Sequence, residues 1–257
     1  MERNRRSLAV AVLVSLLAST GCGGADDQPQ RLKIEVIGTR PHDPTAFTQG
    51  LEIDGNVRYE GTGKPGASSI RATDLATGAE LARVDLPDPY FGEGVTLAGD
   101  TLWQLTWKDR VAFARDPVTL AERGRVPYEG EGWGICTRAD KLVMSNGTDE
   151  LTFRDPVTFA PTGTVTLGNR RKAHLNELDC AADGSVYAND YPTDTILRID
   201  PDTGRVLAEI DARGLLAPAA RVDTDVLNGI AQIPGTDHFL LTGKYWPTIF
   251  EVRFVPA

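Results

Sequence analysis

From residue 31 to the C-terminus, apolar side chains recur at alternate positions in short runs broken by turn-forming residues, and no stretch of convincing length carries a helical apolar period. The most similar runs are Gly50-Leu51-Glu52-Ile53, Gly94-Val95-Thr96-Leu97, Gly134-Ile135-Cys136-Thr137, Glu177-Leu178-Asp179-Cys180 and Gly229-Ile230-Ala231-Gln232, with starts spaced by 44, 40, 43 and 52 residues. Each predicts a first strand, followed by a turn and a second strand at 56–60, 101–106, 141–145, 185–189 and 238–242. A third run follows, clearest at 110–114, 151–154, 195–199 and 248–254.

Turn chemistry repeats with the strands. Asp74-Leu75-Ala76-Thr77-Gly78, Asp116-Pro117-Val118-Thr119, Asp155-Pro156-Val157-Thr158 and Asp200-Pro201-Asp202-Thr203-Gly204 each pre-set a tight turn between a third strand and a fourth. Four strands in 40 to 50 residues, repeated around a ring, predict an all-β fold, a five-bladed β-propeller. The last repeat has only three runs before Ala257, so the isolated strand at 32–38 is expected to complete it and close the ring. The long 52-residue interval places an insertion at 212–225.

The N-terminal segment breaks this pattern. Arg3, Arg5 and Arg6 precede an apolar run at 8–17 and the small residues Ala18-Ser19-Thr20-Gly21, which reads as a signal peptide over residues 1–21. The small residues before Cys22 also resemble the lipobox of bacterial lipoproteins, although Ser19 stands where that motif usually has Leu. A twin-arginine reading of Arg5-Arg6 fits the flanking residues poorly. The expectation is lipidation of Cys22, with simple secretion as the alternative, a polar tether over 22–30 and a folded domain over 31–257. The product would be an exported protein, a membrane-anchored lipoprotein of the bacterial cell envelope, periplasmic or on the cell surface. An oxidising compartment permits a Cys136–Cys180 disulfide, but the spacing equally allows two buried thiols.

Charge narrows the partners. The chain carries a net charge of -9, and removing residues 1–21 takes away three Arg and one Glu, leaving -11. No basic stripe is visible, which argues against nucleic acid. The membrane would be met only through the N-terminal lipid, and a monomer is the default.

In a blade the strands alternate in direction, so the start of each first strand and the end of each second strand share one face. The residues before the five aligned starts, Gln49, Glu93, Trp133, Asn176 and Asn228, therefore ring one mouth of the channel. Lys64, Trp107, Asn146, Tyr191 and Lys244-Tyr245-Trp246, at the second-strand ends, join them. One carboxylate among amides, ammonium groups and aromatics suits a small polar ligand, while glycine-rich turns and interblade Trp residues also occur for packing alone. Gly-x-Ser-x-Gly, His-Glu-x-x-His and Cys-x-x-Cys are absent from the sequence. Gly61-Thr62-Gly63-Lys64-Pro65-Gly66 reads as a turn rather than a dinucleotide fingerprint, because Pro65 interrupts it. For His42, His174 and His238 a capping or surface role is the default, and Asn146-Gly147-Thr148 reads as a tight turn.

Seven segments, in order along the domain, resemble the plant-and-bacterial type of glutaminyl-peptide cyclotransferase, or glutamine cyclotransferase. They are Phe47-Thr48-Gln49-Gly50-Leu51, Phe91-Gly92-Glu93-Gly94, Leu105-Thr106-Trp107, Gly132-Trp133-Gly134, Leu175-Asn176-Glu177-Leu178, Val226-Leu227-Asn228-Gly229-Ile230-Ala231 and Thr242-Gly243-Lys244-Tyr245-Trp246-Pro247. The resemblance implies a five-bladed propeller that converts the N-terminal glutamine of peptides or proteins to pyroglutamate and releases ammonia. It implies Glu93 as the catalytic carboxylate and Phe47, Gln49, Phe91, Trp107, Trp133, Asn176, Tyr191 and Lys244 as the substrate pocket, with Tyr191 replacing the Trp usual in the family. No Ser or Cys nucleophile is needed, because the substrate's own α-amine attacks, and no cofactor or metal is expected for catalysis, because no metal-ligand cluster is visible at the mouth; a structural cation in the central channel is left open. The alternatives are a non-catalytic peptide-binding or scaffold propeller of the cell envelope and a metal-dependent, lactonase-like propeller hydrolase.

Overall fold

The structure, a computed structural model, describes residues 28–169 and 172–257. The signal peptide, Cys22 and the expected tether up to residue 27 lie outside the described residues.

Three four-stranded antiparallel sheets follow one another along the chain. The first contains β2 (Thr48–Asp54), β3 (Val57–Thr62), β4 (Ser69–Asp74) and β5 (Glu80–Asp85). The second contains β6 (Gly92–Ala98), β7 (Thr101–Thr106), β8 (Val111–Arg115) and β9 (Glu122–Pro127), and the third β10 (Ile135–Arg138), β11 (Lys141–Ser145), β12 (Glu150–Arg154) and β13 (Pro161–Thr166). Eight strands make the remaining sheet: β14 (Leu175–Cys180), β15 (Val186–Asp190), β16 (Thr195–Asp200), β17 (Arg205–Asp211), β1 (Gln30–Pro41), β20 (Thr248–Pro256), β19 (His238–Gly243) and β18 (Leu227–Gln232), in that spatial order.

The N-terminal strand does complete the last repeat. β1 runs antiparallel to β20 from Leu32↔Pro256 to Pro41↔Thr248, and parallel to β17 from Gln30↔Ala208 to Lys33↔Asp211. That parallel seam merges two four-stranded units into one eight-stranded sheet, which alternating runs alone do not foretell. The stretch at 212–225 is a loop with one turn of 3₁₀ helix, Pro218–Ala220.

In the first three sheets the last strand is the least buried, whereas β17, paired with β1, keeps four of its seven residues buried. β2, β6, β14 and β18 are almost wholly buried, whereas β5, β9 and β13 alternate between exposed and half-buried positions. The first strands pack in a closed sequence, β2 on β6, β6 on β10, β10 on β14, β14 on β18 and β18 on β2. The repeating glycine explains how they come so close: a Cβ on Gly94 would lie 2.9 Å from the Gly134 Cα, and one on Gly50 2.7 Å from the Gly94 Cα. Glu177 stands where the fourth repeat lacks this glycine. Its carboxylate accepts the backbone N–H of Leu51 at 3.0 Å and of Ile230 at 2.7 Å, tying β14 to β2 and β18.

Turns between third and fourth strands use the aspartates as expected. Asp116 and Asp155 each accept the N–H and hydroxyl of the Thr three residues on, at 2.7 and 2.9 Å in both turns. The two cysteines left open by sequence form a disulfide between β10 and β14, Cys136–Cys180, with Cα atoms 5.3 Å apart.

Candidate active site

The strand ends on one face converge on a cavity of about 210 Å³. All nine residues expected there line it. Gln49, Glu93 and Asn176 project from the starts of β2, β6 and β14, and Phe47, Phe91 and Trp133 stand just before β2, β6 and β10. Lys64, Trp107, Tyr191 and Lys244 follow the ends of β3, β7, β15 and β19. Lys64 thus joins the cavity as its repeat position predicts, although the family-like segments do not include it. Gln49, Glu93, Asn176 and Lys244 are buried, while Phe91, Trp107, Trp133 and Tyr191 are half-buried. The polar groups therefore form the floor and the aromatic rings the wall.

Side chains beneath the floor fix its polar groups. The Asn228 Nδ2 donates to the Thr48 carbonyl at 3.0 Å and to Gln49 Oε1 at 3.2 Å, which turns the Gln49 Nε2 toward Glu93 Oε1, 2.8 Å away. Glu93 Oε2 and Asn176 Oδ1 are buried without a hydrogen-bond partner among the described residues. Two unmatched buried acceptors in one cavity call for a ligand that brings N–H donors.

The wall is built from ring contacts. Phe91 meets Phe47 edge to face at 6.0 Å and Trp107 at 5.5 Å, and Trp133 meets Tyr191 at 5.6 Å. Lys64 Nζ lies 3.9 Å and Lys244 Nζ 4.7 Å from the centre of the Phe47 ring, with Lys244 also 5.3 Å from that of Tyr191. These are cation–π distances.

Not every mouth residue inferred from the alignment faces the cavity. Asn228 acts one layer below, through Gln49. Asn146 bonds the Thr148 amide and hydroxyl in its own turn. Trp246 turns into the core, 1% exposed, with its indole N–H on the Asp225 carbonyl. His42 departs from its expected surface or capping role: it is buried, with Nε2 2.9 Å from Glu60 and Nδ1 2.7 Å from the Trp246 carbonyl. Glu131, singled out by no sequence signal, accepts both cavity indoles, from Trp107 at 2.7 Å and from Trp133 at 3.1 Å.

Residues 7–254 match the family model of glutamine cyclotransferase. The chain belongs to the glutamine cyclotransferase family. It is 37% identical over 244 residues to a glutaminyl-peptide cyclotransferase of Arabidopsis thaliana, covering 91% of this chain and 76% of that protein. Its structure is similar to that of the Myxococcus xanthus glutaminyl cyclase, with a TM-score of 0.81 and 36% identity over 90% of this chain and the whole of the other.

The electrostatics of the cavity follow from burial. Desolvation pushes the Glu93 carboxyl well above its ordinary range; Lys244 pulls it back and the charge of Glu131 adds to the rise. Burial likewise lowers the Lys244 ammonium, against the pull of Glu93 and Asp225 and helped by Lys64. A carboxyl raised by burial at a cavity is a candidate for general acid–base work. Among the described residues, no three His, Cys, Asp or Glu side chains form a group that could hold a metal ion. Buried Glu177 and half-buried Asp179 on β14, with half-buried Glu52 on the neighbouring β2, are no exception.

Proposed function

We propose that this site closes the N-terminal glutamine of a peptide or protein into pyroglutamate by intramolecular aminolysis, with Glu93 as the proton shuttle. The unmatched Glu93 Oε2 and Asn176 Oδ1 of two residues lining one cavity carry the reading, because the substrate's α-amine and carboxamide supply the N–H donors that these two acceptors lack.

The α-amine, with an ordinary pKa of roughly 7.7–8.0, is partly neutral near pH 7 and attacks the γ-carboxamide carbon. A C–N bond forms, and Glu93 Oε2 takes the proton shed by the attacking nitrogen. The same proton passes to the departing amide nitrogen, the second C–N bond breaks, and ammonia leaves. Gln49 Nε2 uses one of its two N–H groups on Glu93, and among the candidates for the oxyanion Lys244 is favoured because its buried ammonium is attracted to the charge that develops. Asn176 Oδ1 accepts from the amine. The aromatic wall encloses the side chain and excludes water, favouring aminolysis over hydrolysis. No step calls for a resident metal.

The fold reading is a five-bladed propeller, supported by the closed packing of the five first strands and by β1 completing the last unit. The disulfide supports export to an oxidising compartment, and the sequence before residue 31 supports lipid anchoring at Cys22 in the cell envelope.

The test is ammonia release, with the matching mass loss, from a short peptide beginning with glutamine, using residues 28–257 in EDTA. Turnover is expected. A folded sample that binds the peptide without turnover would replace this reading with a binding propeller, and turnover lost in EDTA but restored by zinc would replace it with a metal-dependent one.

A further inference from the structure

The two tryptophans of the wall share a partner outside the cavity. Trp107 follows β7 and Trp133 precedes β10, yet both indole N–H groups donate to one atom, Glu131 Oε2, at 2.7 and 3.1 Å. The second oxygen of Glu131 lies 3.6 Å from Lys108 Nζ. That ammonium in turn sits 4.0 Å above the Trp107 ring, so Trp107 has Phe91 as one neighbour and a lysine as another. The other two tryptophans of the chain behave differently: Trp103 donates to the Pro156 carbonyl at 3.0 Å and Trp246 to the Asp225 carbonyl at 2.8 Å.

We propose that Glu131 is the positioning residue of the aromatic wall: a carboxylate outside the cavity that fixes Trp107 and Trp133 through one shared oxygen, and so sets how tightly the glutamine side chain is enclosed. The proposal rests on the cyclisation reading for what is enclosed, but the clamp itself does not. An indole N–H that is not engaged by Glu131 would be free to swing into the cavity and compete for the acceptors Glu93 Oε2 and Asn176 Oδ1. Hydrogen bonds to an ionised acceptor are the stronger kind, and one acceptor shared by two rings makes their orientations interdependent. Burial works against the charge of Glu131, but the Trp133 and Trp107 donors and Lys108 outweigh it and hold its carboxyl below the ordinary range. The clamp is thus made at neutral pH and opens only in acid. Its side chain is 39% exposed, so substitutions there leave the packed core untouched.

Two charged neighbours bear on a second effect. Lys108 offsets part of the Glu131 charge, and what remains adds to the rise of the Glu93 carboxyl. Glutamine at 131 keeps an oxygen for the indoles and removes the charge; alanine removes both. The two variants therefore separate positioning from electrostatics.

The experiment records the indole ¹⁵N–¹H resonances of the four tryptophans together with steady-state kinetics on a glutamine-initial peptide. In the wild type two indole resonances should titrate with one common midpoint in the acid range. Glu131→Ala should shift those two alone and raise KM about tenfold, the loss of a charged hydrogen bond worth roughly 1.4 kcal/mol or more, with a smaller change in kcat. Glu131→Gln should restore KM to within about threefold of the wild type but move the acid limb of the kcat profile to lower pH, since Glu93 loses a neighbouring negative charge. Equal KM for wild type and Glu131→Ala, or indole resonances that ignore both the substitution and pH, would overturn the proposal. A wild type that shows the paired titration but no turnover would confirm the clamp and reject cyclisation.

Discussion

Gln49 Nε2 donates to Glu93 Oε1 at 2.8 Å, and the two residues are 44 positions apart, the first interval of the sequence repeat. Each stands one residue before the glycine of its first strand, so equivalent positions of adjacent repeats become a hydrogen-bonded pair on the cavity floor. The pairing has a chemical consequence. With one oxygen of Glu93 held by Gln49, the other is buried without a hydrogen-bond partner among the described residues, which leaves it for both proton transfers in the proposed mechanism.

Glu93→Gln should cut turnover by about 10² to 10⁴, the usual contribution of a positioned general base and acid, while circular dichroism and peptide binding stay near those of the wild type. Ammonia release at the wild-type rate in this variant would remove Glu93 from the mechanism.

The acid limb of kcat should lie above the ordinary glutamate range. Burial raises the Glu93 carboxyl, and the base form, which accepts the amine proton, accumulates only as pH climbs past that raised value. Lys244→Met removes the cation that opposes the rise, so its limb should move to higher pH, and kcat should fall by about 10² or more through loss of oxyanion stabilisation. A limb that stays put in Lys244→Met would show that the two groups do not interact.

Two half-buried acids on the first strands, Glu52 and Asp179, predict how stability depends on pH. Burial pushes Glu52 up to about 7 and Asp179 up to about 8. Groups raised on folding bind more protons in the native state, so their stabilisation is full below the unfolded carboxylate values and is lost as pH rises through about 7 and 8. The Tm of the wild type should decline from pH 5 to pH 9, and the Glu52→Gln, Asp179→Asn double variant should flatten that decline. An equal slope in both proteins would show that these carboxyls stay charged in the fold.

The disulfide spans 44 residues and joins β10 to β14. Replacing both cysteines with alanine should cost about 2–4 kcal/mol of stability, lowering the urea midpoint while leaving KM near the wild-type value, since neither cysteine lines the cavity. A KM change as large as the stability loss would indicate that the bridge also shapes the site.

The family segments and the repeat are written in the chain, because strand alternation, turn residues and glycine at close approaches are local requirements. From these the succession of strands along the chain, the completing role of β1 and the ten cavity residues could be read, eight of them because equivalent positions in a repeat share one face and Phe47 and Phe91 from the family segments. What a side chain touches was decided only by the tertiary structure. Asn146 and Trp246 occupy mouth positions by alignment, yet one closes its own turn and the other fills the core, because neighbouring packing rather than register decides where a strand-end side chain turns. His42 pairs with Glu60 in the interior, a contact between segments with no common spacing. Cys136 and Cys180 could be paired or free until β10 and β14 were brought side by side. Glu131 stands immediately before the Gly132-Trp133-Gly134 segment, yet its hold on Trp107 as well as Trp133 exists only where separate repeats meet, since a shared hydrogen-bond acceptor is a property of convergence in space that no single stretch of sequence encodes.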